Sequence, residues 1–206
     1  MILRVENLSV QRGGVAILAD VSFALDEGQA LFLRGPNGIG KTTLLRTLAG
    51  LQPAVSGSIE CTAGPDSIAY ASHADGVKPT LTVAENLGFW AQVFGTNSFD
   101  AALEKMNLTS LANRPAQTLS AGQKRRLGLA RMLVTERPIW VMDEPTISLD
   151  RDSTALFASA VQSHLAKGGV AVIATHIDLG FGADVLELGP YKAPQTSDEA
   201  FDEAFI

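Results

Sequence analysis

The sequence predicts a three-layer α/β fold around a mostly parallel sheet, and three observations lead to it. Apolar runs of strand length recur at residues 30–33, 67–71, 139–142 and 170–174, and stretches with helical spacing follow or separate most of them. A glycine-rich segment, Gly35-Pro36-Asn37-Gly38-Ile39-Gly40-Lys41-Thr42, follows the first run and fits the phosphate-loop pattern G-x-x-x-x-G-K-[ST]. Short strand-like runs at 2–6, 21–25 and 58–61, separated by glycine and acidic turns, add a β-rich layer near the N-terminus.

Taken in chain order, the β layer occupies about 1–27 and 56–66. The nucleotide-binding core takes about 28–55, 67–79 and 137–190. The helix after the phosphate loop repeats Leu44, Leu45 and Leu48 and stops at Gly50. Residues 80–136 read as a helical insert between two core strands. Thr82 and Glu85 form a capping box ahead of Val83, Leu87, Trp90 and Phe94. Ser98 is expected to open a second helix through Leu103 and Met106, and Ser120 a third with Leu127, Ala130 and Val134 on one face. The tail, 191–206, ends in a tandem of Asp198-Glu199-Ala200-Phe201 and Asp202-Glu203-Ala204-Phe205. It reads either as a helix with both phenylalanines on one face or as a frayed, solvated end.

Bulk properties narrow the function classes. A chain of 206 residues, 46% hydrophobic and 18% charged, suits one globular domain with a sizeable core. Its net charge of −6 argues against a general binder of nucleic acid or anionic membranes. The longest apolar runs are far too short to span a bilayer, and the first residues lack the regions of a signal peptide. Cys61, the only cysteine, is expected as a small core residue, with no disulfide and no thiolate metal cluster. These features fit the cytosol.

The chemistry gathers at strand ends. Glycines let the loop backbone curl so that successive N–H groups converge, and the following helix adds its N-terminal partial charge. Lys41 then supplies a full positive charge for β- and γ-phosphates, and Thr42 a hydroxyl for Mg²⁺. The run 139–142 ends in Asp143-Glu144 before Pro145. A carboxylate at such a strand end holds Mg²⁺ through water, and its neighbour can polarise an attacking water. Leu119-Ser120-Ala121-Gly122-Gln123, taken alone, is a capped helix start.

Together these motifs resemble the ATPase domain of ABC transporters over about residues 1–188. Residues 119–123 look like the family signature, with Ala121 where glycine is commoner. Ser148-Leu149-Asp150 resembles the D-loop, and His176 the switch histidine. The resemblance implies Lys41, Glu144 and His176 as catalytic residues, and ATP with Mg²⁺ as cofactors. It implies a head-to-tail homodimer with two ATP molecules at the interface. Each site would join the phosphate loop of one subunit, from Gly35 to Thr43, to Ser120, Ala121, Gly122 and Gln123 of the other, with Asp150 nearby. Two positions depart from the common pattern. Arg12 stands where most members stack an aromatic ring on adenine, a task a guanidinium can perform. His73 stands where most place a glutamine beside Mg²⁺, for which imidazole is a poorer partner.

His73, with Gly76-Val77-Lys78, the segment 81–87, Lys124-Arg125-Arg126 after the signature and the short chain, narrows the resemblance further. It points to ATP-binding subunits of the haem exporter used in bacterial cytochrome c maturation. That subgroup implies a membrane-spanning permease subunit, other haem-delivery membrane proteins and a peripheral place on the cytoplasmic face of the bacterial inner membrane. It implies either haem export or ATP-driven release of a haem-loaded chaperone. No direct haem binding is expected: there is no C-x-x-C-H, His73 and His176 have other assignments, and His164 is expected exposed on a helix. An ATPase for another small-molecule exporter is the alternative. A soluble ABC protein acting on DNA or ribosomes is disfavoured by the acidic balance and the absence of coiled-coil insertions or a second ATPase domain.

Overall fold

Five parallel strands form the centre of the fold in the computed structural model, which describes residues 1–64, 66–96 and 98–194. They are β3 (Ala30–Arg34), β5 (Ile68–Ala71), β6 (Ile139–Asp143), β7 (Val170–Ala174) and β8 (Asp184–Glu187), in the order β5-β6-β7-β3-β8. Both faces of a parallel sheet are covered, so its central strands are continuous apolar runs rather than alternating ones. Every residue of β6 and β7 is buried. One face packs Leu31, Leu33, Val141 and Val172 against Leu44 and Leu45 of α1 (Lys41–Leu48). The other packs Phe32, Met142 and Ile173 against α5 (Arg151–Leu165) and the helical insert. Parallel strands deliver their carboxyl ends to one edge, which is where ligands bind in such sheets.

The antiparallel layer has the order β2-β1-β4, from β1 (Leu3–Arg12), β2 (Val15–Leu25) and β4 (Ser56–Cys61). The first two strands are far longer than the runs 2–6 and 21–25 anticipated. Register shifts explain the difference: Asn7 and Asp20 have φ of 47° and 58°, and the two-residue alternation slips around them. Leu8 and Val10 are therefore buried alongside Leu3 and Val5, but on a displaced phase. The Ser22 hydroxyl accepts the Asn7 N–H at 2.8 Å and secures the irregularity. Cys61 is partly buried against this cluster, and burial raises its thiol pKa.

Three helices make the insert: α2 (Val83–Phe94), α3 (Asp100–Lys105) and α4 (Ala121–Val134). The capping boxes of Thr82 with Glu85 and of Ser120 with Gln123 are both formed. Ser98 does not open α3 as expected. Phe99 takes the cap position, and the Ser98 hydroxyl instead accepts the Asp100 N–H at 3.3 Å. Val83, Leu87 and Leu127 share one apolar cluster with Met142 and Ile173, so the insert packs directly on the sheet. His164 also differs from expectation. It is half-buried, stacks on Trp140 at a 4.0 Å centroid distance, and its Nε2 lies 3.1 and 3.2 Å from the Pro138 and Val170 carbonyls. The acidic-aromatic tandem at 198–205 lies outside the described residues.

Candidate nucleotide-binding site

Three adjacent strands converge on one cleft of about 240 Å³. β3 runs into the phosphate loop, β6 delivers Asp143 and Glu144, and β7, between them, leads to His176. Arg12 and Ile17 of the antiparallel layer close its outer wall. Larger cavities of about 460 and 520 Å³ exist elsewhere, but neither holds a phosphate loop or the carboxylate pair.

The loop geometry requires glycine at Gly40. Its φ is 115°, and a Cβ there would stand 2.7 Å from Ile17 Cγ2 and 3.1 Å from Leu18 Cγ. Gly40 also caps α1 without supplying a side-chain acceptor, leaving the helix start for an anion. Lys41, 8% exposed, donates from Nζ to the Gly35 carbonyl at 2.8 Å and the Pro36 carbonyl at 3.4 Å. The same Nζ is 3.1 Å from His176 Nε2, and that nitrogen is 3.3 Å from Glu144 Oε1. One ring nitrogen either accepts from Lys41 or donates to Glu144, according to where the imidazole proton sits. The three side chains thus form a rearrangeable chain of donors and acceptors around the place where phosphate would enter.

Thr42 Oγ1 donates to Asp143 Oδ2 at 2.7 Å, and Asp143 is 3% exposed. Among the described residues no ion pair neutralises this carboxylate. Its field reaches Tyr70 on β5: burial first, then the Asp143 charge, push the phenol above its ordinary pKa. Glu144 begins the loop after β6 with φ of 45°, its N–H held by the Ala174 carbonyl at 2.9 Å.

The remaining expected residues are spread more widely. Asn37, Gly38, Thr43 and Arg12 line the cleft, while Ile39 packs against the neighbouring core. The Pro36 carbonyl is one of the two that hold Lys41. Ser120, Ala121, Gly122 and Gln123 do not line this cleft; Ser120 and Ala121 are exposed at the start of α4. Asp150 caps α5 by accepting the Ser153 N–H at 2.8 Å, and that hydrogen bond lowers its carboxyl pKa. His73 is exposed and does not line this cleft. Its carbonyl accepts from Arg125 Nη1 at 3.1 Å.

Arg125 is the residue that motif reading passed over. Only 4% exposed, it donates from Nε to the Pro145 carbonyl at 2.9 Å and from Nη2 to the Glu144 carbonyl at 2.8 Å. Nη1 reaches the carbonyls of Ser72 and His73 at 3.0 and 3.1 Å, and Asp75 Oδ1 at 3.2 Å. A signal was present in the sequence: Arg125 shares helical phase with Leu129 and Met132, which are buried. Gly128, one turn on, permits the close approach, since a Cβ there would lie 2.8 Å from the Asp75 carbonyl.

A phosphate loop, a strand-end acid pair and a capped helix carrying Ser120-Ala121-Gly122-Gln123 define a P-loop ATPase of the ABC class. The family model described as ABC transporter matches residues 18–147. The cytochrome c biogenesis ATP-binding export protein CcmA of Paracoccus denitrificans is 64% identical over 99% of this chain and 99% of its own length. The protein of the same name from Rhodobacter capsulatus is 59% identical over 100% and 99%. Among solved structures, an ABC transporter ATP-binding protein from Pyrococcus furiosus superposes with a TM-score of 0.84 at 26% identity, over 94% of this chain and 100% of that one. The chain belongs to the ABC transporter family, within the group that these CcmA proteins form.

Proposed function

We propose that this chain is the ATP-hydrolysing subunit that energises a membrane complex in c-type cytochrome biogenesis, for haem export or for release of a haem-loaded chaperone. The observation that carries this reading is identity above half to named cytochrome c biogenesis export proteins along essentially the whole of both chains. The convergent Lys41, Thr42, Asp143, Glu144 and His176 side chains supply the chemistry.

In this reading the backbone from Gly35 to Thr43 cradles the phosphates, and Lys41 leaves its two carbonyls to meet the β- and γ-oxygens. Arg12 stacks on the adenine. Thr42 and Asp143 fit Mg²⁺, because two hard oxygen donors meet there and, among the described residues, the buried carboxylate has no cationic partner. Bound Mg²⁺ would offset charge on the β- and γ-phosphates. Glu144 accepts a proton from the attacking water, and His176 orients it toward the γ-phosphate. Ser120, Ala121, Gly122 and Gln123 of a second copy close the site, placing a helix N-terminus on the γ-phosphate. Asp150 lies at that seam.

The membrane partner would dock on the outer face of α2. Phe89 and Val93 are 37% and 54% exposed there, and the Lys78 ammonium lies 4.5 Å from the Phe89 ring centroid. No described helix is long and apolar enough to cross a membrane. In this reading a permease holds the subunit peripherally at the cytoplasmic face. Purification from membranes should recover a permease subunit with this chain. Lys78→Glu should lower cytochrome c maturation while leaving the basal ATPase rate within about twofold. Crosslinks that place the permease only on the antiparallel layer would refute the docking face, and normal maturation by a strain carrying Lys41→Ala would refute the energising role.

A further inference from the structure

We infer that Arg125 is a positioning residue that reports the partner subunit's nucleotide to Glu144 of its own site. The inference rests on the dimer just proposed, in which the start of α4 meets the partner's γ-phosphate. Ser120 caps α4 and Arg125 follows five residues later, about 7.5 Å along the same rigid helix. Its guanidinium has five N–H groups in a fixed plane. One edge grips the consecutive carbonyls of Glu144 and Pro145, and the other grips the loop after β5 at Ser72, His73 and Asp75. A displacement at the start of α4 is therefore imposed on both loops together, because Nε, Nη1 and Nη2 of the one rigid guanidinium are each bonded to them.

Glu144 is the point at which such a displacement matters. Its backbone is held at both ends, by the Ala174 carbonyl at its N–H and by Arg125 at its C=O. With φ at 45° it cannot relax into a neighbouring well without releasing one of them. The carboxylate is therefore aimed by three backbone anchors: one fixed in β7, one within its own loop, where the Ile147 N–H donates to the Glu144 carbonyl at 3.3 Å, and a shorter one at 2.8 Å from the helix that faces the second subunit. A further contact has the same sense: a Cβ on Gly122 would lie 3.3 Å from the Ser148 carbonyl, so the helix start also abuts the loop that follows Glu144. Seating α4 on the partner's nucleotide thereby sets the aim of the local base, and each site hydrolyses well only when the opposite site is filled.

Arg125→Lys keeps the charge and loses the planar fork, and it separates this role from a merely structural one. On the purified full-length chain, hydrolysis plotted against ATP concentration should be sigmoidal. In Arg125→Lys, kcat should fall about tenfold and the Hill coefficient should drop to one, while affinity for a fluorescent ATP analogue stays within twofold. Unchanged kcat and cooperativity in a folded Arg125→Lys chain would overturn the inference. A second measurement needs no change at Arg125. In the Glu144→Gln chain, Mg-ATP should slow amide exchange at 72–75 as well as at 120–125, and Ser120→Arg added to it should abolish the slowing at 72–75 while nucleotide stays bound. No slowing at 72–75 in a chain that dimerises overturns the inference alone. Failure of the Glu144→Gln chain to dimerise with Mg-ATP overturns the dimer reading and the inference with it.

Discussion

Lys41 is hydrogen-bonded to its own loop, and this shapes what its loss does. The ammonium hydrogen-bonds the Gly35 and Pro36 carbonyls, and among the described residues it is the only cation buried at the cleft. Lys41→Ala should weaken ATP binding and lower hydrolysis by about 10²–10³-fold, the scale for deleting one preorganised group aimed at developing charge. A colorimetric phosphate assay with full activity would exclude the assignment. Glu144→Gln keeps the shape and loses the proton acceptor. It should still bind ATP but turn over about 10²–10⁴-fold more slowly, and so accumulate as an ATP-bound dimer in light scattering. The residues behind these expectations were legible in the sequence because motif chemistry is local: the spacing from Gly35 to Thr42 and the pair after an apolar run fix them. Arg125 was legible only as a buried position, through its helical phase with Leu129 and Met132; its partners sit 20 and about 50 residues away, and nothing local identifies them.

At the scale of elements, short-range signals held and long-range ones slipped. The caps of α2 and α4 were written in residues three apart, and both formed. Thr82→Ala should remove the α2 box and destabilise the fold by about 1 kcal/mol. In a domain of this size that lowers Tm by roughly 2–4 °C in calorimetry. Ser98 failed as a cap because the chain enters α3 through Phe99, whose side chain packs against the core cluster. Packing outweighed capping propensity there. The strands of the antiparallel layer were under-read because their irregularities at Asn7 and Asp20 hide the alternation. β8 went unseen for another reason. It is an edge strand with three of its four residues exposed, and it lacks the continuous apolar run that marked its neighbours.

The whole molecule should show a stability that depends on pH just below neutrality through His164. Burial disfavours the imidazolium, and this outweighs the hydrogen bonds to the Val170 and Pro138 carbonyls that favour it, so the pKa is lowered. The unfolded chain, near 6.5, therefore takes up a proton that the folded chain refuses. Stability is full above about pH 6.5 and declines as pH falls toward the depressed folded value. His164→Phe keeps a ring stacked on Trp140 and has nothing to titrate. Its Tm should vary less than the wild type's between pH 7.5 and 5.5, and parallel curves would assign the dependence to other groups. The parallel core and its helical insert were visible from sequence because apolar runs and helical periodicity report burial directly. The single apolar cluster joining them was not, since it depends on which faces meet in space.

Glu144 holds a left-handed backbone that only glycine adopts freely, at a cost of roughly 1–2 kcal/mol for any other residue. Glycine there should yield a more thermostable protein with no proton acceptor for hydrolysis. The two properties are in conflict at this position. A library sorted for heat resistance alone would be drawn toward inactive chains there, whereas one sorted for cytochrome c maturation would keep the strained carboxylate and seek its stability elsewhere.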